Sequence, residues 1–204
     1  MSRDAILAAL KRNQPEISPL PADLSFETAG DADLVSKFKA MAEGIGSTVF
    51  LVSTAEEIKI KIAAEFAAAT RVVTNVASLV SPEIAAFVWY ADPHTYENVD
   101  VAVFQPRLGV AENSALWITE DRMGVRALPF ITQHIVMVVD IASLVPDMHT
   151  AYQVIGEADY GFATFIAGPS KTADIEQSLV LGAHGPRSMT IFLCAFNEES
   201  PAFH

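Results

Sequence analysis

The chain has 204 residues, of which 51% are hydrophobic, and its formal net charge at pH 7 is −12. A chain of this length buries about 70% of its unfolded surface, so it forms a real core and is not disordered. The acidic balance excludes the basic surface that nucleic-acid binding needs and disfavours adhesion to an anionic membrane. The single cysteine, Cys194, excludes an internal disulfide and a four-cysteine zinc or iron–sulfur site built by this chain.

The first residues predict a short helix followed by an arm. Ile6, Leu7 and Leu10 fall on one helical face, and a polar, proline-rich stretch follows. We expect residues 1–30 to form this N-terminal helix and arm, and residues 31–204 to form a single α/β domain. No stretch approaches the roughly 18 consecutive apolar residues of a membrane span, and the start lacks the apolar core of a secretory signal. We therefore expect a cytoplasmic protein.

Beyond residue 30, predicted helices and strands alternate along the chain. Thr54 with Glu57 forms a capping box, and Ser81 followed by Pro82 is typical of a helix start. Helices are predicted at 32–46, 54–70, 81–91, 141–156 and 172–182. Strands are predicted at 47–53, 71–77, 99–106, 109–120, 134–140, 160–168 and 188–196. Continuous apolar strands of this kind are buried on both faces, which predicts a mainly parallel sheet with helices on both faces.

The turn that follows the strand at 160–168 is the first candidate site. Ligands of parallel α/β sheets bind beyond the carboxyl ends of strands, and free N–H groups at a helix start favour an anion. Gly168 permits close backbone approach, Ser170 and Thr172 offer hydroxyl groups, and Lys171 adds positive charge. Asp174 lies in the first turn of the predicted helix. We therefore predict ligand binding at this turn.

Two other interpretations of this turn remain. In the first it is only a capped helix, with Thr172 as the N-cap and the acids Asp174 and Glu176 facing the helix dipole. In the second Ser170 is a nucleophile, but position 172 is threonine where a nucleophile elbow needs glycine, which argues against it.

Three further groups of polar residues are candidates for a functional role. His184 lies between two glycines just before the last strand and is either a site residue or a structural turn residue. Glu112 and Asn113 interrupt an apolar extended run, so Glu112 is either a candidate acid/base or an exposed turn acid. The sequence Asp92 to Glu97 lacks metal-ligand spacing, and we expect no metal site.

The residues "GPSKTADIE" and "GAHGP", at 168–176 and 182–186, resemble the signature of the lactate utilisation protein C family, also called the YkgG or LUD-domain family. The strand "HIVMVVD" and the N-terminal helix and arm are also similar, so the resemblance covers most of the chain. The family commonly has A-E-T-G-T where this chain has "AENSA", so Ser114 stands in place of a glycine.

The resemblance implies a fold like that of the NagB/RpiA/CoA-transferase group and a role in oxidising L-lactate to pyruvate beside two iron–sulfur proteins. The leading hypothesis is therefore an accessory subunit that carries no cofactor itself and binds a small anion or a partner at the 168–174 loop. One alternative is a stand-alone enzyme acting on a carboxylate, phosphate or CoA-type substrate through Glu112. Another is a non-catalytic scaffold. The sequence leaves homo-oligomerisation open.

Overall fold

The computed structural model describes residues 2–16, 18–19, 33–87, 92–175 and 178–195. The chain divides into two units, Met1–Gly30 and Asp31–His204. The first unit contains helix α1 (Arg3–Arg12), where the Ser2 hydroxyl accepts a hydrogen bond from the backbone N–H of Ala5 at 3.3 Å. The helix predicted near the N-terminus is thus confirmed.

The second unit is built on a six-stranded sheet in which every pair of neighbouring strands is parallel. From one edge to the other, its strands are β1 (Thr48–Val52), β12 (Ser188–Cys194), β7 (His134–Asp140), β4 (Val101–Phe104), β2 (Val72–Thr74) and β3 (Ile84–Ala86). Apolar side chains point alternately to the two faces of this sheet, as strand geometry requires. The mainly parallel α/β fold is therefore confirmed.

One face of this sheet is covered by helix α3 (Ala55–Glu65) and a 3₁₀ turn at Ala77–Leu79. Ile58 and Ile62 of α3 pack there against Val136 and Phe192 of the central strands. At the start of the helix, the Thr54 hydroxyl accepts from the N–H of Glu57 at 3.2 Å. The Glu57 carboxylate accepts from the N–H of Ser53, one residue before the cap, at 2.8 Å.

A second, four-stranded sheet and helix α2 (Leu34–Gly44) cover the other face. The order of its strands is β8 (Leu144–Val145), β5 (Leu108–Val110), β6 (Leu116–Thr119) and β9 (Ala163–Ile166). Leu116 and Ile118 face the parallel sheet, while Trp117 between them packs against helix α5 (Met148–Ile155). The described unit therefore stacks a helix layer, two sheets and a further helix.

Three sequence predictions are corrected by this arrangement. The helix predicted at 81–91 contains strand β3, because Ser81 and Ile84 form a tight turn and Ile84 then pairs with Val72. Residues 88–91 lie outside the described part. The single extended segment predicted at 109–120 is two antiparallel strands joined by a turn. Of the helix predicted at 141–156, only α5 is α-helical, since β8 pairs with β5 first.

The prediction of a helix at 172–182 is also wrong. Its residues form a two-stranded antiparallel hairpin of β10 (Lys171–Ile175) and β11 (Ser178–Leu181). Thr172 is therefore not an N-cap, and Gly182 ends a strand rather than a helix. A helix of this length would separate its ends by about 15 Å. Here the N–H of Gly182 instead donates to the carbonyl of Ser170 at 2.9 Å. Glu176, predicted to face a helix dipole, lies outside the described residues.

A short helix, α4 (Leu128–Ile131), precedes β7. Its Leu128 is fully buried, and the N–H of Thr132 donates to the Leu128 carbonyl at 3.2 Å. The next N–H groups, of Gln133 and His134, donate to the carbonyls of Val99 and Asp100. These bonds fix the start of β7 against the segment that leads into β4.

Candidate functional site

The two halves of the GPS…GAHGP signature meet at the base of the β10–β11 hairpin. The N–H of Ser170 donates to the carbonyl of Pro186 at 2.9 Å, and the Ser170 carbonyl accepts from Gly182 at the same distance. At Gly185 an added Cβ would lie 3.0 Å from the Ser170 Cβ, so the two backbones are in close contact. The signature therefore encodes a closed hairpin base.

This base is buried against the turn between α2 and β1. Gly168, with φ 74°, and Pro169 are both buried. A Cβ at Gly168 would approach the side chain of Ile45 to 3.0 Å, and one at Gly46 would lie 3.8 Å from Cγ of Pro169. The positive φ and the close approach together explain why glycine stands at position 168.

The hairpin base lies at the amino-terminal edge of the parallel sheet, not at the carboxyl edge that the sequence suggested. Its contacts are with Gly46, which precedes β1, with Phe130, which precedes β7, and with Gly185, which precedes β12. The reason is that β9, which leads into the turn, belongs to the antiparallel sheet. Because β10 begins where a helix was predicted to start, no helix N-terminus is present at this turn to favour an anion.

The predicted site residues fall into two separate places. Gly168, Ser170, Lys171, Thr172 and Asp174 lie at or just beyond the hairpin base, with Thr172 and Asp174 inside β10. Lys171 is exposed. The structure also brings the segment 182–186 back to Ser170, so His184, exposed in that segment, lies beside the turn rather than at the far end of a helix.

Glu112 and Asn113 lie elsewhere, in the turn between β5 and β6. Glu112 is exposed, and its carboxylate accepts a hydrogen bond from the N–H of Met148 at 3.0 Å, at the start of α5. The Asn113 side chain accepts from the N–H of Ala115 at 3.0 Å and so closes the turn. These contacts give both residues a place in the turn, and the catalytic role of Glu112 stays a prediction.

Sequence reasoning missed a pocket of about 570 Å³ at the amino-terminal edge of the parallel sheet. We call it the amino-edge pocket; its walls include Thr48, Phe66, Asp100, His134, Arg187 and Ser188. Nδ1 of His134 and Oγ of Ser188 lie 2.7 Å apart across β7 and β12. The available signal was the position of His134 and Ser188 at the first residues of two strands, which only the strand pairing makes neighbours.

The charges of this pocket are set by its surroundings. Burial, helped by the nearby Arg187 charge, lowers the pKa of His134 and outweighs the opposing effect of Asp100. Hydrogen bonds from the hydroxyl and the N–H of Thr70, at 2.8 and 2.7 Å, lower the pKa of Asp100. At neutral pH the imidazole is therefore neutral and the carboxylate is charged but already hydrogen-bonded.

A second cavity, of about 480 Å³, lies between the smaller sheet and α5. Trp117 and Tyr160 form an aromatic wall, with ring centroids 5.4 Å apart. Arg107 donates to Thr119 at 2.7 Å and pairs with Asp121. Burial acts to raise the pKa of Asp121, but the Thr119 hydrogen bond and the arginine charges outweigh it and lower that pKa. The polar groups at this end of the cavity thus satisfy one another.

The family model described as LUD domain matches residues 77–194, which is more than half of the chain. The chain belongs to the LUD domain family. The matched region contains β10, β11 and their base, residues 168–186, which we call the signature hairpin, and the flanking strands β9 and β12. The resemblance seen in the GPS…GAHGP signature is thus confirmed.

Curated relatives are about 30% identical to the chain over the parts that match. An uncharacterised protein of Neisseria meningitidis, NMB1437, is 29% identical over 52% of this chain and 47% of its own. A lactate utilization protein C of Bacillus pumilus is 31% identical over 53% of this chain and 50% of its own. One from Oceanobacillus iheyensis is 29% identical over 46% and 43%. The matched part therefore spans about half the length of these relatives.

A solved structure shares the LUD chain's fold. It is a DUF162 family protein from Deinococcus radiodurans, with a TM-score of 0.59 over 80% of this chain and 98% of that one. At 16% sequence identity, this likeness shows the fold alone.

The described residues contain no group of three or more His, Cys, Asp or Glu side chains arranged to hold a metal ion. Asp92 and His94 do contact each other, with Nδ1 of the imidazole 2.8 Å from the carboxylate. Within the same described ranges, no helix is both long and apolar enough to span a membrane.

Proposed function

We propose that this LUD domain protein acts in lactate utilisation, as a subunit that works beside iron–sulfur proteins in the oxidation of L-lactate to pyruvate. The observation that carries the proposal is the family match together with several relatives named lactate utilization protein C. Because the chain spans only about half of those relatives, the role is transferred through the shared domain, which holds the signature hairpin.

The signature hairpin is the surface that we assign to the partner. Its base is held by the Ser170 hydrogen bonds to the segment 182–186, whereas β10 and β11 pair only with each other among the described strands. A two-stranded hairpin is marginally stable alone, and unpaired strand edges are ready to pair with another chain. Both properties suit a segment that is completed by a partner protein.

Lys171 is the group through which this contact is best tested. It is exposed at the first residue of β10, beside the buried turn, in a protein whose net charge is −12. A lysine at such a place offers an acidic partner surface an attractive contact that the rest of the chain does not favour. If Lys171 binds a small anion instead, that anion should raise the unfolding temperature of the wild type but not that of Lys171→Glu.

The experiment is affinity capture with the tagged chain from an extract of lactate-grown cells. We expect captured material that contains iron and acid-labile sulfide and reduces a dye when L-lactate is added. Lys171→Glu should reduce the recovery at least tenfold. Lys37→Glu is the matched control, because Lys37 is exposed and forms no ion pair with any described residue. It should leave recovery unchanged.

Two results would count against parts of the proposal. Captured material without iron or lactate-dependent reduction would overturn the lactate role. Equal loss of capture in both lysine variants would keep the role but remove the hairpin as the contact surface.

A further inference from the structure

Arg187 differs from every other arginine in the unit 31–204. The guanidinium groups of the other four contact oxygen atoms of the protein, and these are Arg71, Arg107, Arg122 and Arg126. Arg187 is exposed, lines the amino-edge pocket and forms no side-chain hydrogen bond or ion pair with any residue in the described part of the chain. Its guanidinium therefore keeps the planar set of donors that recognises a carboxylate.

Contacts with neighbouring segments fix the position of the main chain and the side-chain stem of Arg187. The N–H of Arg187 donates to the carbonyl of Gln133 at 2.8 Å, which ties it to the residue before β7. The stem of Arg187 lies against Gly182, where an added Cβ would be 2.6 Å from its Cγ. Gly182 has φ 73° as well, so this signature glycine makes both the turn and the room for the arginine stem.

The rest of the pocket offers neutral polar groups and a small apolar wall. The His134–Ser188 pair presents an imidazole and a hydroxyl that hydrogen-bond each other at 2.7 Å, and the hydroxyl of Thr48 lines the same space. Phe66 packs its ring on His134 with centroids 5.1 Å apart. Such groups suit a hydroxyl or keto oxygen and a short alkyl group.

The two acids of the pocket limit the charge that it accepts. Hydrogen bonds from Thr70, and from the N–H of Arg71 at 3.0 Å, stabilise the charged carboxylate of Asp100, and the exposed Glu65 also lines the pocket. One cation therefore faces two carboxylates. A ligand with a single negative charge can pair with Arg187 and meets less repulsion from the two carboxylates than a dianion such as sulfate would.

We propose that the amino-edge pocket binds a small monocarboxylate, with Arg187 pairing its carboxylate and the His134–Ser188 pair bonding an oxygen on the neighbouring carbon. The choice of L-lactate and pyruvate as first probes rests on the proposed function. The carboxylate site itself rests on Arg187 and its pocket.

The test is isothermal titration calorimetry of the purified full chain at constant ionic strength with the sodium salts of L-lactate, pyruvate, acetate, sulfate and chloride. We expect saturable binding of the three monocarboxylates, tighter for the two that carry a 2-oxygen, and none for sulfate or chloride. Arg187→Gln should weaken binding at least tenfold, which is typical for the loss of a charged hydrogen bond. Ser188→Ala should bring L-lactate affinity close to that of acetate.

Arg126→Gln is the matched control, because Arg126 already pairs with Glu120 and does not line the pocket. It should bind as the wild type does. Circular dichroism of each variant establishes that it is folded. In NMR spectra, the imidazole signals of His134, assigned by their absence in His134→Gln, should shift on titration with L-lactate.

The outcomes separate the two proposals. Acetate and other monocarboxylates binding through Arg187, with L-lactate no better than acetate, would keep the carboxylate class but remove the contact to the 2-oxygen. It would not affect the partner experiment. No saturable monocarboxylate binding, or equal binding by Arg187→Gln, would overturn the site even if iron–sulfur partners are captured.

Discussion

Ser114 holds a left-handed backbone conformation, with φ 56°, although it is not glycine. The residue is almost completely buried, and its hydroxyl donates to the carbonyl of the adjacent Asn113 at 2.7 Å. The resemblance to the lactate utilisation protein C family places glycine here, and the structure supplies the physical reason. Only glycine adopts this conformation without steric cost. The departure from the family pattern is thus a local strain in the β5–β6 turn.

We expect Ser114→Gly to raise the free energy of unfolding by up to about 1 kcal/mol. Relief of the left-handed conformation gains about 1–2 kcal/mol, and the added flexibility of the unfolded chain offsets about half of it. Urea unfolding followed by circular dichroism measures the change. Ser114→Ala is the control, since it keeps the strain and loses the buried hydroxyl bond. Stabilisation by alanine equal to that by glycine would contradict this account.

The β10–β11 hairpin shows how an element is decided by contacts outside its own sequence. The segment 172–182 has helical spacing and a cap-like threonine, yet Gly182 at its end bonds back to Ser170, two residues before its start. The positive φ angles of Gly168 and Gly182 turn the chain at both sides of this closure. The local pattern predicts a helix, but the buried hairpin base requires sharp turns at Gly168 and Gly182, and the segment therefore forms two strands.

Gly182→Ala should lower the free energy of unfolding by about 2 kcal/mol. Alanine at position 182 would have to hold a disfavoured positive φ. Its methyl group would also lie 3.0 Å from the Cα of Arg187, so the backbone would have to move. Thermal and urea unfolding measure the loss. Gly44→Ala at the end of α2 is the matched control, because nothing lies within 4 Å of its added Cβ. It should be neutral or stabilising by up to about 1 kcal/mol. Equal effects of the two changes would remove the argument for Gly182.

Across the whole unit 31–204, two buried clusters on opposite faces of the parallel sheet hold the layers together. Phe104 and Ile118 belong to the cluster between the two sheets. Phe192 and Cys194 belong to the cluster under α3. Burial, with smaller contributions from Asp140 and Glu57, raises the pKa of Cys194 to about 12, and the residue is 2% exposed. Its thiol therefore reports on the integrity of the layered core.

We expect Cys194 to react with Ellman's reagent only when the unit unfolds. At pH 8 about 10⁻⁴ of such a thiol is ionised, so native labelling should be at least a hundredfold slower than labelling in concentrated urea. Because the sequence contains one cysteine, no second thiol contributes. The labelling rate should rise at the same urea concentration as the loss of circular dichroism. Rapid stoichiometric labelling of the native chain would refute the buried environment.

The sequence by itself determined the α/β class, most of the central strands, the capped helix α3 and the family signature. These features depend on apolar runs and side-chain caps that lie within a few residues of one another. The tertiary structure alone decided the second sheet, the hairpin at 171–181 and the edge at which the signature lies. It also decided the amino-edge pocket, because His134 meets Arg187 and Ser188 only when β7 and β12 pair in register. Strand pairing between distant residues leaves no local periodicity, and for that reason the site could not be predicted from the sequence.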